Sequence, residues 1–225
     1  MAIVLDRVST GRGELVLRQD AAHFEVISNG VFLMDTRNGE SERRLVSEAL
    51  KRVRQPRSVL IGGLGIGFSL IEALQDERVA RVMVAEVEPA IIRWHEEHLA
   101  GISEAAIADE RTEIVQADVA HLLRSSDEPT YDAICLDVDN GPQWTVSEAN
   151  AELYDDEATA QAAKRLSPGG ALTVWSAARS PAYERVLARH FGKVELIEVA
   201  VPRGEPDVVY IATGGADSRG DSDSS

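Results

Sequence analysis

The stretch VLIGGLGIGF, Val59 to Phe68, decides the fold. Three apolar residues run straight into four glycines, Gly62, Gly63, Gly65 and Gly67. An apolar strand that ends in such a loop needs backbone to come close to something. Downstream the pattern repeats as strand and helix. SVLIGG is a strand and FSLIEALQ a helix, RVMVAEVE a strand and AIIRWHEEHLA a helix. TEIVQAD is a strand followed by a short helix at VAHLLR, and YDAICLDV is another buried strand. EANAELYDDEATAQAAKRL reads as a long helix stopped by SPGG, ALTVWSA as a strand, and PAYERVLARHF as a helix. KVELIEVAVPRGEPDVVYIATG closes the series as two strands joined by a turn with Pro and Gly. Continuous apolar strands alternating with helices imply a mainly parallel sheet covered on both faces. The expected architecture is α/β, a Rossmann-like seven-stranded sheet with an antiparallel hairpin at its edge.

Upstream lies a smaller element. GELVLRQ and HFEVIS are short strands, and Asn29-Gly30 sits between FEVIS and VFLMD. Asn-Gly between β-prone runs predicts a hairpin, because both turn positions need positive φ. SERRLVSEALKRV then carries Leu45, Val46, Ala49, Leu50 and Val53 at helical spacing, and Pro56 ends it. The reading divides the chain into an extension over 1–55, a nucleotide-binding domain over 56–214 and a disordered tail over 215–225. That tail is rich in Gly, Ser and Asp.

Composition narrows the function. The 225 residues are 44% hydrophobic, enough for one domain with a full core. A net charge of −15 argues against binding a phosphate backbone, and it fits either a solvated acidic surface or an acidic site for a cationic substrate. The single cysteine, Cys135, permits no internal disulfide and fits a reducing cytosol. The N-terminus does not read as a signal peptide, and no segment has the apolar length of a membrane span.

In a sheet of this kind ligands bind beyond the carboxyl ends of the strands. The loop Gly63-Leu64-Gly65-Ile66-Gly67 is G-x-G-x-G; the dinucleotide fingerprint would need glycine where Phe68 stands, and no P-loop Lys-Ser/Thr follows. Glu86 ends the second strand, about 20 positions on, placed to accept from ribose hydroxyls. Asp118 ends the third strand and could accept from an adenine amino group. Asp137 and Asp139 end the fourth. Carboxylates set so regularly at one rim point to a nucleotide site.

These motifs resemble the class I S-adenosylmethionine-dependent methyltransferase fold, and within it the spermidine synthase (polyamine aminopropyltransferase) family. The likeness runs over roughly residues 13–213 and is carried by VLIGGLGIG, VAEVEPAII, QADVAHLL, YDAICLDVDNGP, Leu153-Tyr154 and LSPGG. It implies that Gly63, Gly65 and Gly67 cradle the donor, that Glu86 holds ribose hydroxyls, that Asp118 holds adenine and that Asp137 faces the reacting amine. It also implies a homodimer. The likeness breaks in three places. The family loop G-G-G-D-G-G has Asp where this chain has Gly65; in the family that Asp contacts the amine of decarboxylated S-adenosylmethionine. The family's Y-H-E motif has no match near Arg43 and Arg44, and the stretch after Asp137 is shortened.

Both reactions open to such a site are displacements at a carbon bonded to a sulfonium, so the enzyme chiefly holds nucleophile, carbon and sulfur in line. Asp137 is the candidate to orient an amine and take its proton. Asp139 could hold a second amino group or serve as a turn residue. Trp144 could form a lid, while Tyr154 and Trp175 could line the acceptor pocket or belong to the core. The five histidines form no metal spacing, and no metal is expected. Loss of the loop Asp favours methyl transfer from intact S-adenosylmethionine to an amine-bearing small molecule. The alternatives are aminopropyl transfer from the decarboxylated donor to a diamine, and nucleotide binding without turnover.

Overall fold

A computed structural model describes residues 2–125, 130–138, 141–142, 152–202 and 204–215. Its elements are β1 (Ile3–Thr10), β2 (Gly13–Asp20), β3 (His23–Ser28), β4 (Val31–Asp35), α1 (Glu40–Arg52), β5 (Ser58–Gly62), α2 (Phe68–Gln75), β6 (Arg81–Glu86), α3 (Pro89–Glu97), α4 (Ala100–Ile107), β7 (Thr112–Gln116), α5 (Val119–Arg124), β8 (Tyr131–Leu136), α6 (Asp156–Arg165), β9 (Leu166–Ser176), α7 (Pro181–His190), β10 (Lys193–Val199) and β11 (Asp207–Thr213).

Seven strands form the large sheet in the order β10-β11-β9-β8-β5-β6-β7. β5 through β9 pair parallel, and β11 runs antiparallel to both neighbours. The closing hairpin thus folds back, placing its second strand inside and β10 at the edge. Along β5 the side chains alternate between two cores. Val59 and Ile61 join α1, α2 and α3 on one face; Leu60 joins α5 and the tyrosines of the other face. All three are fully buried, which is why the strand is apolar throughout. The strand order reverses between β5 and β8, and the crevice at that reversal is where the candidate residues gather.

The N-terminal part is a four-stranded antiparallel sheet, β1-β2-β3-β4, larger than the single hairpin read from sequence. The turn at Asn29-Gly30 is as expected, with φ of 50° and 79°. β1 escaped notice because Asp6 and Arg7 interrupt its apolar run. Asp6 is a docking residue: its Oδ2 accepts from Trp94 Nε1 at 2.7 Å and Arg93 Nη2 at 2.6 Å, tying this sheet to α3. Leu15, Leu17 and Val26 enter the same core as α1. α1 itself packs across β8, β9 and β11.

Two further elements differ from the reading. α4 had no periodic signal strong enough to mark it. α6 begins at Asp156, capped by Asp155, which accepts from Ala158 N at 2.7 Å. SPGG does not stop that helix as a free turn but forms a bulge early in β9, opposite Asp132. The tail from 216 onward lies outside the described residues.

Candidate active site

The glycine loop is built by close approach. Gly63 has φ of 95°, and a Cβ there would sit 2.2 Å from the Asp137 carbonyl oxygen. Its N–H donates to the Ala85 carbonyl at 2.8 Å, and Asp137 N donates to Gly62 O at 2.8 Å. The three strand ends β5, β6 and β8 are thereby stitched together at backbone level. Gly67, also at φ 95°, forms the N-cap of α2 beneath His95. Gly65 faces open space, with only Met34 Sδ near a hypothetical Cβ at 3.4 Å.

Glu86 closes the loop from β6. Oε2 accepts from Leu64 N at 2.9 Å and Oε1 from Glu88 N at 2.8 Å. Burial pushes its carboxyl above the usual range, and those two backbone donors counter the effect. His95 holds the loop from α3. Its Nε2 donates to the Gly65 carbonyl at 2.9 Å, and its Nδ1 lies 2.5 Å from Ser103 Oγ. Burial lowers its pKa, so the ring is neutral and accepts from the serine hydroxyl. His95 stands in the sequence among five histidines without metal spacing, and on one helix face with Ile91, Ile92 and Leu99. Its place on the inward face of a helix beside a glycine loop was the available signal.

Asp118 caps α5, with Oδ1 accepting from Ala120 N at 2.9 Å. Its Oδ2 accepts from Arg12 Nη2 at 3.1 Å, an arginine contributed by the N-terminal sheet. Arg12, Leu15, Leu33, Met34, Glu86, Ile91 and Asp118 surround one pocket with Gly63 and Gly65 at its floor.

Asp137 follows β8 directly, and its Oδ2 accepts from Ser69 Oγ at 3.1 Å. Burial raises its pKa to about 6, with the charges of Asp207 and Glu86 adding to the rise. Glu42, on α1, is raised to about 8 by burial and by the nearby Asp137. Ser69 also reaches the Glu42 carbonyl at 3.4 Å, and Ser41 Oγ donates to Asp207 Oδ2 at 2.5 Å. Glu42 and Asp207 were not anticipated, because they lie on elements far apart in sequence that meet only through packing.

Glu42, Asp137, Asp207 and Ser41 line a second cavity, whose described lining residues include six carboxylates: Asp20, Asp35, Glu42, Asp137, Glu205 and Asp207. Arg37 is the cation among its described lining residues, and it is already engaged by Asp20, Asp35 and Glu25. The two cavities share Leu33, Met34, Gly65 and Asp137. Asp137 therefore stands at their junction.

Of the candidate acceptor residues, Trp175 lines the second cavity, and its indole N–H is buried without a hydrogen-bond partner. Tyr154 lies in the core, edge-on to Tyr183 at 5.7 Å, and its hydroxyl donates to the Val138 carbonyl. It thus steadies the backbone just after Asp137. Asp139 and Trp144 lie outside the described residues. Arg43 stacks over Phe68 at 4.4 Å, and Arg44 pairs outward with Glu40 and Glu48. Cys135 is fully buried in β8, its thiol pushed up to about 12 by burial. Among the described residues no group of three or more His, Cys, Asp or Glu side chains could hold a metal ion, and no helix is long and apolar enough to cross a membrane.

Comparison with known proteins follows the same lines. A spermine/spermidine synthase domain model matches residues 26–212. The chain is 29% identical over 179 residues to a polyamine aminopropyltransferase of Synechococcus sp. (strain JA-3-3Ab), covering 76% of this chain and 54% of that protein. It is 26% identical over 221 residues to the polyamine aminopropyltransferase of Aeropyrum pernix, covering 88% and 68%. The chain spans about half the length of the cyanobacterial relatives it matches. A solved spermidine synthase in complex with the transition-state analogue AdoDATO superposes with a TM-score of 0.79 at 19% identity, over 96% of this chain and 75% of that one. The expectation of methyl transfer is overturned, because the matching family model is a spermine/spermidine synthase domain and these relatives are named as aminopropyltransferases. The physical reason lies in the cavity. Gly65 carries no charge, but the cavity that shares it is lined, among the described residues, by carboxylates from other elements, and their excess over the one guanidinium disfavours an anionic group.

Proposed function

Because the chain belongs to the spermine/spermidine synthase domain family, we propose that it transfers an aminopropyl group from decarboxylated S-adenosylmethionine to a small amine, with a diamine as the simplest acceptor. The observation that carries this reading is the meeting of two cavities at Asp137, one with the glycine loop and Glu86, the other with six carboxylates and one engaged guanidinium among its described lining residues. A cavity of that charge favours polycations over neutral or anionic acceptors.

In this reading the glycine loop, Glu86 and Asp118 hold the nucleoside of the donor. The terminal ammonium of the donor, which meets no side chain at Gly65, takes its counter-charge from the carboxylates of the adjoining cavity. Asp137 receives a proton from the acceptor ammonium. The freed amine nitrogen attacks the propyl carbon next to sulfur, a C–N bond forms, the C–S bond breaks, and neutral 5′-methylthioadenosine leaves. The proton passes to solvent. A carboxyl titrating near 6 is well suited to take a proton at neutral pH and give it up again. Ser69 fixes one Asp137 oxygen, leaving the other for the amine. A cytosolic location and a homodimeric assembly complete the reading, the first supported by the single free cysteine.

The test is a product assay. With the decarboxylated donor and 1,4-diaminobutane, purified protein should yield 5′-methylthioadenosine and the aminopropylated amine in equal amounts. Absence of both products across a panel of diamines and triamines would overturn the proposal.

A further inference from the structure

Arg12 lies in the β1–β2 turn, and that turn is held with more care than a surface loop needs. Asn29 Oδ1 accepts from Glu14 N at 2.9 Å, and Asn29 Nδ2 donates to the Arg12 carbonyl at 3.1 Å. Gly13, at φ 121°, leaves room for this contact; a Cβ there would lie 1.9 Å from Asn29 Oδ1. Arg12 N donates to Thr10 Oγ1 at 3.1 Å, and Thr10 Oγ1 donates in turn to Glu88 Oε1 at 3.3 Å. The backbone is thus fixed on both sides of Arg12, and its side chain crosses to Asp118 on the far side of the first cavity.

The ion pair explains little by itself. Its partners are 28% and 41% exposed, and such pairs contribute about 0–1 kcal/mol to stability. A turn with this many fixed points does not serve stability through that pair. The cavity chemistry offers the reason. Arg12 is the one cation among the described residues lining the first cavity, where Leu15, Leu33, Met34 and Ile91 supply apolar surface. A guanidinium held by a carboxylate in a fixed plane is an effective cover for a purine ring, through cation–π attraction and stacking.

Building on the reading above, we propose that Arg12 is a donor-binding residue, anchored on Asp118, whose guanidinium closes over the adenine and so makes the N-terminal sheet part of the donor site. Asp118 Oδ2 keeps a second lone pair for the adenine amino group, so the ion pair and the purine share one carboxylate. Lysine cannot replace this function, since a point charge offers neither the planar face nor the fork.

The experiment uses the full chain and calorimetric titration with 5′-methylthioadenosine. Wild type, Arg12→Ala and Arg12→Lys are compared, with melting temperatures measured alongside. Arg12→Ala should bind about tenfold more weakly, as expected for loss of one cation–π contact, with melting unchanged. Arg12→Lys should recover less than half of that loss. In turnover, KM for the donor should rise while kcat holds within about twofold. Binding by both variants within twofold of wild type would overturn the role of Arg12 and leave the donor pocket standing. No binding by wild type would overturn the donor pocket itself. Should Arg12→Ala fold poorly, Arg12→Gln gives the same comparison with the side-chain volume nearly kept.

Discussion

Glu42→Gln is expected to stabilise the protein, and to do so only at high pH. In the folded chain the Glu42 carboxyl is raised from 4.5 to about 8, first by burial and then by Asp137, with Asp207 adding to the rise and Arg43 opposing it. In the unfolded chain it ionises near its ordinary value. Between these two values the folded state holds a proton that the unfolded state has lost, so stability falls as pH rises from about 4.5 to about 8. One pKa unit corresponds to about 1.4 kcal/mol, which sets an upper bound of roughly 5 kcal/mol for the whole rise. Part of that belongs to repulsion shared with Asp137, whose own proton competes for the same place. We therefore expect the variant to exceed wild type by about 2–3 kcal/mol at pH 9 and by under about 1 kcal/mol at pH 5. Glutamine keeps the shape and cannot ionise. Urea unfolding of both proteins at the two pH values gives the four numbers needed. A gap that stays constant with pH, or a variant less stable at pH 9, would refute the argument that Glu42 sits buried against Asp137.

The remaining predictions concern the loop and the base. Asp137→Asn should lower turnover by about 10²–10⁴-fold, and the wild-type kcat/KM should fall below about pH 6 as that carboxyl protonates; a pH–rate profile unchanged in the variant would show that another group titrates. Gly63→Ala meets both a positive φ and the Asp137 carbonyl, and should cost about 3 kcal/mol or more by chemical denaturation. His95→Phe leaves the Gly65 carbonyl without its donor and should cost about 1–3 kcal/mol. The same change should weaken 5′-methylthioadenosine binding, and unaltered affinity by titration would separate the loop's support from its function.

The candidate residues at the rim of the sheet were legible because they are fixed to strand ends. Gly63, Asp118 and Asp137 follow β5, β7 and β8, Glu86 ends β6, and a parallel sheet necessarily brings those ends to one rim. The carboxylates of the second cavity, Asp137 apart, were not. Glu42 sits on α1, Asp207 at the start of β11, and Asp20 and Asp35 in the N-terminal sheet. Nothing local in the chain relates these positions; only the packing of α1 on the large sheet and the docking of Asp6 on Trp94 gather them. Gly65 shows how a single motif position can mislead. Its missing side chain reads as a changed donor preference, whereas carboxylates from elements no motif covers line the cavity that shares it. Tyr154 shows the reverse case, a residue matched to a family motif whose ring supports the site from the core.

Cys135 gives the molecule an internal clock. It lies in the central strand two residues before Asp137, fully buried, with its thiol pushed up to about 12. Thiol reagents attack the thiolate, so the native form is shielded twice, by access and by protonation. Alkylation can therefore proceed only through openings that expose β8, and its rate counts those openings directly. Any nucleoside that binds the folded form must slow the clock by the factor in which it enriches that form. A library of small molecules can thus be ranked against this chain by mass spectrometry alone, with no knowledge of the reaction, by watching how long one sulfur stays unmodified.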